Sequence, residues 1–363
     1  MTSVIQVLVF AFIPFIVFLI GKRSARGFLQ DIGFYRPESR TVLYALLASV
    51  VLFVILWGAF VRATGSGAGC GSHWPLCNGE VVPMAPQVET LIEFTHRATS
   101  GVALLTAIGL AVWAHRAYEP GSPVRRGAAF SLLFMITEAL LGAGLVLFEW
   151  VALNASLARV ISMALHLVNT FLLVAALALT AWWAWGGRAV RLRGQGSLAW
   201  LNLAGLVGLL VLGVSGAVIA LGDTLFFAHT RSGASEETLP ELVTAIVSIR
   251  VLHPIIAVVI GAFVVGIAWY TSAARPAPST RALASGLTAV YVVQLAAGAI
   301  NVVLQVPVWM QLIHLLLADT VWILAVLLAA SALTAESVSR SAQPAERSLP
   351  GVERGMQNVE PKA

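Results

Sequence analysis

Four histidines lie inside apolar stretches of this chain: His96, His166, His253 and His314. Each is the sole histidine of its stretch. Each comes roughly 5–10 residues in, which is about 8–15 Å along a helix at 1.5 Å per residue. A solitary histidine in a membrane helix is often a hydrogen bonder between helices. Four at matched depth suit another task, because ionisable groups inside a bilayer are costly and functional by default. Two imidazoles from facing helices can supply both axial ligands of a haem iron. Zinc or copper is less apt, since each pair would need further Cys, Asp or Glu ligands and few are at hand. The pattern predicts two bis-histidine haem sites, His96 with His166 and His253 with His314. The other histidines, His73, His115 and His229, fall in loops or at a helix end.

The surroundings of the two pairs differ. Glu93 lies one turn before His96 and faces the same site, whereas Arg250 holds that place before His253. Glu93 either caps its helix N-terminus or acts as a carboxylate that takes and places protons at the pocket edge. Arg97, beside His96, suits a haem propionate or a phospholipid headgroup. Glu138 lies deeper, at the place that Gln294 holds in the second half, as a hydrogen bonder or a member of a proton relay.

The elements that carry these residues follow from composition. Hydrophobic residues make up 59% and charged residues 11% of 363, against roughly 25% charged in a soluble domain. This excludes a cytosolic enzyme, a disordered chain and a nucleic-acid binder. Nine stretches are long and apolar enough for membrane helices: about 4–20, 41–61, 91–113, 127–148, 159–185, 198–221, 243–270, 281–304 and 309–334. The first could also be a signal peptide's apolar core, but no basic residue precedes it, and it reads as a retained helix. From about 336 the chain is polar and reads as a disordered tail. Arginine and lysine gather in alternate loops (22–40, 114–126, 186–197, 271–281 and the tail), which predicts the N-terminus outside and the C-terminus in the cytoplasm. Cys70 and Cys77 then share an outer loop, on the oxidising side of a bacterial plasma membrane. They read as a disulfide closing a short loop, with a pair of free thiols as the alternative.

The chain also resembles itself. Gly58-Ala59-Phe60-Val61 recurs as Gly216-Ala217-Val218-Ile219, and Glu138-Ala139-Leu140-Leu141-Gly142-Ala143 as Gln294-Leu295-Ala296-Ala297-Gly298-Ala299. Met163-Ala164-Leu165-His166-Leu167 matches Gln311-Leu312-Ile313-His314-Leu315. The expected architecture is all-α and polytopic: two pseudosymmetric four-helix bundles from a parallel repeat, with a pseudo-two-fold axis along the membrane normal. The units are 41–185 and 186–334, preceded by an extra helix and basic loop at 1–40 and followed by the tail at 335–363.

Glu93-Phe94-Thr95-His96-Arg97 resembles the E-x-x-H-R motif of the haem A synthase family. The segment from Gly58 through Arg62-Ala63-Thr64-Gly65-Ser66-Gly67, with Cys70 and Trp74-Pro75-Leu76-Cys77-Asn78-Gly79, is similar to that family's first outer loop. The resemblance covers about 41–334. It implies oxidation of a ring methyl of haem O to a formyl group, in two successive two-electron steps, for cytochrome oxidase biogenesis. It implies that His96 and His166 serve the substrate haem, that His253 and His314 hold a haem b, and that Glu93 is the catalytic carboxylate. The partners it implies are haem O, membrane lipid and the enzyme that makes haem O, with the electron acceptor left open. The chain departs from the family where Pro254 follows His253, where no second cysteine pair occurs, where Glu138 stands for a glutamine, and in its extra first helix. A dihaem b-type electron carrier and a haem carrier or assembly chaperone are the competing readings.

Overall fold

The computed structural model describes residues 39–231, 240–248 and 250–333. The apolar stretch at 4–20, most of the basic segment after it and the tail lie outside the described residues. Among the described residues the chain is all-helical: α1 (Ser39–Ala63), α2 (Val88–Ala117), α3 (Pro123–Leu147), α4 (Leu157–Ala184), α5 (Ser197–Arg231), α6 (Glu241–Ser248), α7 (Leu252–Ala274), α8 (Pro278–Val303) and α9 (Val308–Leu333). Seven of these are long and apolar enough to cross a membrane, and α1 adds a shorter apolar stretch, Leu47–Ala63. The chain is a multi-pass membrane protein.

Local signals set the helix ends. Ser122 and Ser156 cap α3 and α4, each accepting a backbone N–H three residues on, and Pro123 and Pro278 occupy first-turn positions where a missing N–H costs nothing. The far ends of α3 and α8 turn alike, through Glu149 (φ 55°) and Gln305 (φ 59°) in the left-handed region.

Two expectations need correction. The stretch 243–270 is not one helix but two, α6 and α7. Pro254 has no N–H to offer the carbonyl of Arg250, so a helix cannot run through this point. It can restart at Leu252, with Pro254 in its first turn. His253 is therefore the second residue of α7, and Arg250 sits exposed in the turn before it rather than one helical turn along the same helix. Helix α5 also runs past 221 to Arg231, about 52 Å at 1.5 Å per residue and longer than a ~30 Å hydrocarbon core. Its extension packs against α6, because Gly222 has no side chain: a Cβ there would stand 2.4 Å from Ile246 Cγ2. Leu221, Leu225 and Val243 make a small separate core at this end.

Helices α1, α2, α3 and α4 pack in a ring, each against the next and α4 back against α1. Helices α5, α7, α8 and α9 do the same. The rings join through α1 and α4 on one side and α5 and α9 on the other. At that joint Phe171 stacks on Trp322 with ring centroids 5.2 Å apart, and Trp322 Nε1 donates to the Phe171 carbonyl at 2.7 Å. Phe171 also lies against Gly213, where a Cβ would meet its ring at 2.6 Å. Close approach through small residues is how membrane helices gain van der Waals contact without a hydrophobic driving force.

Trp322→Phe keeps the stack and removes the indole donor. It should leave a buried carbonyl with one partner fewer and lower stability by about 0.5–1.5 kcal/mol. Thermal unfolding in detergent should show a small fall, with the helical content of the folded state unchanged.

Candidate functional site

The four helix histidines share one local arrangement. Each imidazole lies against a glycine of the neighbouring helix in its ring. A Cβ on Gly58 of α1 would stand 2.9 Å from His96 Cε1, and one on Gly216 of α5 would stand 3.0 Å from His253 Cε1. A Cβ on Gly298 of α8 would stand 3.0 Å from His314 Cε1, and one on Gly142 of α3 would stand 4.0 Å from His166 Cε1. At the three tight positions a Cβ would crowd the ring and force it to shift. His96 lies within electrostatic reach of His166, and His314 within reach of His253. His96 and His166 thus lie in one ring of helices, and His253 and His314 in the other.

Their second nitrogens have different partners. His253 Nδ1 lies 2.8 Å from Ser215 Oγ, a hydrogen-bond partner for that ring nitrogen. His166 Nδ1 lies 3.5 Å from Glu138 Oε1, within ion-pair range but without hydrogen-bond geometry. The Nδ1 atoms of His96 and His314 are buried without a hydrogen-bond partner, and His314 Nε2 lies 3.3 Å from the Gln294 side-chain nitrogen. Glu138 and Gln294 therefore each approach the second histidine of their own group.

Glu93 and Arg97 close the loop end of the first group. The loop after α1 turns at Gly65 (φ 73°), forms a short 3-10 turn over Ser66–Ala68 and carries the Cys70–Cys77 disulfide. It lies flush on α2: a Cβ on Gly69 would fall 2.4 Å from the Glu89 carbonyl, and Thr90 Oγ1 donates to the Gly69 carbonyl at 2.7 Å. The buried Glu93 accepts the Cys70 N–H on Oε2 at 2.8 Å. Its Oε1 accepts from Arg97 Nε at 3.1 Å and also pairs with the Arg97 terminal nitrogen. Arg97 in turn donates to the carbonyls of His73 and Leu76 across the loop, the latter at 2.7 Å. Both residues are thus engaged with the loop, and the guanidinium points to backbone carbonyls and Glu93.

Sequence reasoning missed other polar groups. Arg62, at the end of α1, crosses the joint between the rings: it donates to the Ala220 carbonyl at 2.6 Å, to Thr224 Oγ1 at 2.8 Å and to Gln311 Oε1 at 3.0 Å. Arg159 is buried at the first turn of α4 and donates to the carbonyls of Ala152 and Asn154. Asp223 lies within electrostatic reach of Arg62 and Arg250. Asp319 of α9 is fully buried, with neither carboxyl oxygen hydrogen-bonded. It is the only acid in its span, which was signal enough to flag it.

No group of three or more His, Cys, Asp or Glu side chains capable of holding a metal ion occurs among the described residues. Paired imidazoles suit a metal whose equatorial ligands come from a macrocycle, as in haem. The arrangement at His253 fits that chemistry: Ser215 takes the Nδ1 side and leaves Nε2 free to bind a metal. The residues that would hold the groups are His96 with His166 and His253 with His314.

Residues 41–326 match the family model described as COX15-CtaA, cytochrome oxidase assembly protein. A Thermus thermophilus protein named protoheme IX farnesyltransferase is 55% identical over 301 residues, which cover 81% of this chain and 50% of that protein. A protein of Alkalihalophilus pseudofirmus named heme A synthase is 43% identical over 112 residues, 31% of this chain and 38% of its own length. Another of that name, from Shouchella clausii, is 45% identical over 98 residues, 27% of this chain and 33% of its own length. The chain spans about half the length of the Thermus relative and about a third of the other two.

Arg97→Ala removes the donors to two loop carbonyls and one side of the Glu93 carboxylate. Hydrogen bonds to a charged group are worth about 1.5–3 kcal/mol each, and solvent at the loop surface reduces this. Limited proteolysis should cut within 62–87 faster in the variant than in the parent. Reducing the disulfide in the parent should have a smaller effect, because Glu93 and Arg97 still hold the loop.

Proposed function

The chain belongs to the COX15-CtaA family of cytochrome oxidase assembly proteins, and on that premise we propose that it is a haem A synthase of a bacterial plasma membrane. The substrate is haem O, and a ring methyl becomes a formyl group. With water as the oxygen source, one CH3 and one H2O give one CHO, four electrons and four protons, so the reaction is two successive two-electron oxidations. The observation that carries this reading is the quartet of imidazoles, each against a glycine of the neighbouring helix and two in each ring of helices. Support comes also from the relatives named heme A synthase.

The roles divide between the two groups of helices, which we read as parallel repeats of one unit, residues 41–185 and 186–334. His96 and His166 hold the substrate haem, and His253 and His314 hold a haem b. Bound there, the haem irons supply the redox chemistry. The chain's own residues orient the macrocycle, exclude water from most of its face and manage protons. Glu93 is the acid on the His96 face of α2, one helical turn from the ligand, and it takes protons released from the methyl carbon. Arg97 holds Glu93 in place and ties the loop down over that end of the group. Helix positions thus fix the ligands, while the base sits buried where a loop meets a helix.

Orientation follows from charge. Arg116, Arg125, Arg126, Arg188, Arg191, Arg193, Arg275 and Arg281 gather in the loops and helix ends opposite Cys70 and Cys77. That end is cytoplasmic in this reading, with both termini assigned accordingly: N-terminus outside, C-terminus inside. The disulfide then faces the oxidising compartment. The name of the Thermus relative, a farnesyltransferase acting on protohaem, supports a partner of that class as the source of haem O.

The test is the haem extracted from the purified protein. Haem O, a hydroxylated intermediate or haem A supports the synthase; haem b alone supports the competing dihaem electron carrier. Glu93→Ala should retain bound haem and lose at least about 100-fold in conversion, in line with the loss of a general base. Normal accumulation of haem A in that variant would remove Glu93 from the chemistry.

A further inference from the structure

An imidazole that ligates a metal through Nε2 carries its proton on Nδ1. Inside a bilayer that proton needs an acceptor supplied by the protein. The two groups of helices supply different acceptors. His253 has a neutral hydroxyl: Ser215 Oγ stands 2.8 Å from its Nδ1 and donates its own proton to the Leu212 carbonyl at 2.7 Å. His166 has a carboxyl. Glu138 Oε1 lies 3.5 Å from its Nδ1, and no hydrogen-bond partner occupies that nitrogen. The approach is about 0.5 Å longer than a typical N–H···O bond.

Glu138 is itself held for this task. Asn169 Nδ2 donates to its Oε2 at 2.6 Å. The orientation of that amide is fixed, because its nitrogen also donates to the Phe134 carbonyl at 2.8 Å and its oxygen accepts from Thr137 Oγ1 at 2.6 Å. The Thr170 hydroxyl stands between Glu138 Oε1 and the His166 carbonyl. Asn169 and Thr170 lie one turn beyond His166 on α4, so ligand and support share one helix. The corresponding residues of α9, Leu317 and Ala318, are apolar, and Gln294 stands where Glu138 does. The network belongs to the first group alone.

We infer that Glu138, fixed by Asn169 and Thr170, is a positioning residue for His166. It orients the imidazole and strengthens it as a ligand, giving the first-group iron a lower potential than it would have with a neutral acceptor. This rests on the proposed haem sites. A carboxylate partner raises the basicity of a ligating histidine, and a more basic ligand favours the ferric state. Serine at His253 does so less, so the two irons differ in the direction of lower potential at His166.

The test uses the full-length protein as purified with its haems, read by redox titration in the visible bands and by low-temperature electron paramagnetic resonance. Glu138→Gln should raise the potential of one haem, by about a tenfold change in its redox equilibrium or ~59 mV for one electron, and leave the other unchanged. Thr170→Val should shift the same haem in the same sense and less. Ser215→Ala should shift only the other. His166→Ala identifies which signal belongs to the first group. If it removes one haem but Glu138→Gln leaves the remaining spectrum and both potentials as in the parent, the inference about Glu138 is overturned while the haem sites stand. If His96→Ala and His166→Ala each leave both haems bound, the proposed sites themselves fail. Lower thermal stability in Glu138→Gln with unshifted potentials and resonances would mark a purely structural role and likewise overturn the inference.

Discussion

A polar group inside a bilayer has no water to turn to, so every donor and acceptor must find its partner within the protein. The helix histidines place that constraint on both of their faces. One face of each ring needs room, which the glycines at 58, 142, 216 and 298 leave by having no side chain. The other face needs a partner for a ring nitrogen, which the chain supplies unevenly: a serine at His253, a carboxyl near His166, none for the Nδ1 atoms of His96 and His314.

The same constraint shapes the ends of the bundle. Arg62 would be costly near the bilayer unless its guanidinium were satisfied, and it is, by groups from α5 and α9. That makes a residue of one ring an anchor for the other. At the loop end, Glu93 and Arg97 bind each other and the backbone of the disulfide loop, so a pair that sequence alone assigns to chemistry also holds the structure. The two roles are compatible, since a carboxylate positioned by fixed donors is one whose geometry is already organised.

Much of the fold was legible because the bilayer imposes a length. Stretches of about 20 apolar residues have one structural solution in lipid, so the spans from 91–113 through 309–334 reappear as helices wherever the chain lacks a local breaker. The exceptions are local too. Pro254 splits one expected span, for the plain reason that proline offers no N–H, and the residue itself was in view. The run of α5 to Arg231 was not legible from hydropathy, because past 221 the helix packs against α6, where Ile246 meets Gly222.

The sequence by itself determined that this is a multi-pass helical membrane protein, which residue types could ligate or move protons, and that the cysteines lie close enough to join. Composition and spacing carry those facts, because they depend on neighbours along the chain. Only the tertiary structure decided which groups meet. It sets Glu138 rather than Gln294 beside His166, turns Arg97 onto loop carbonyls, takes Arg62 across the joint and buries Asp319 unpaired. The contacts among these join residues 21 to 249 positions apart. Helix packing, through contacts at glycine and aromatic side chains, fixes them, and no periodicity along the chain records it.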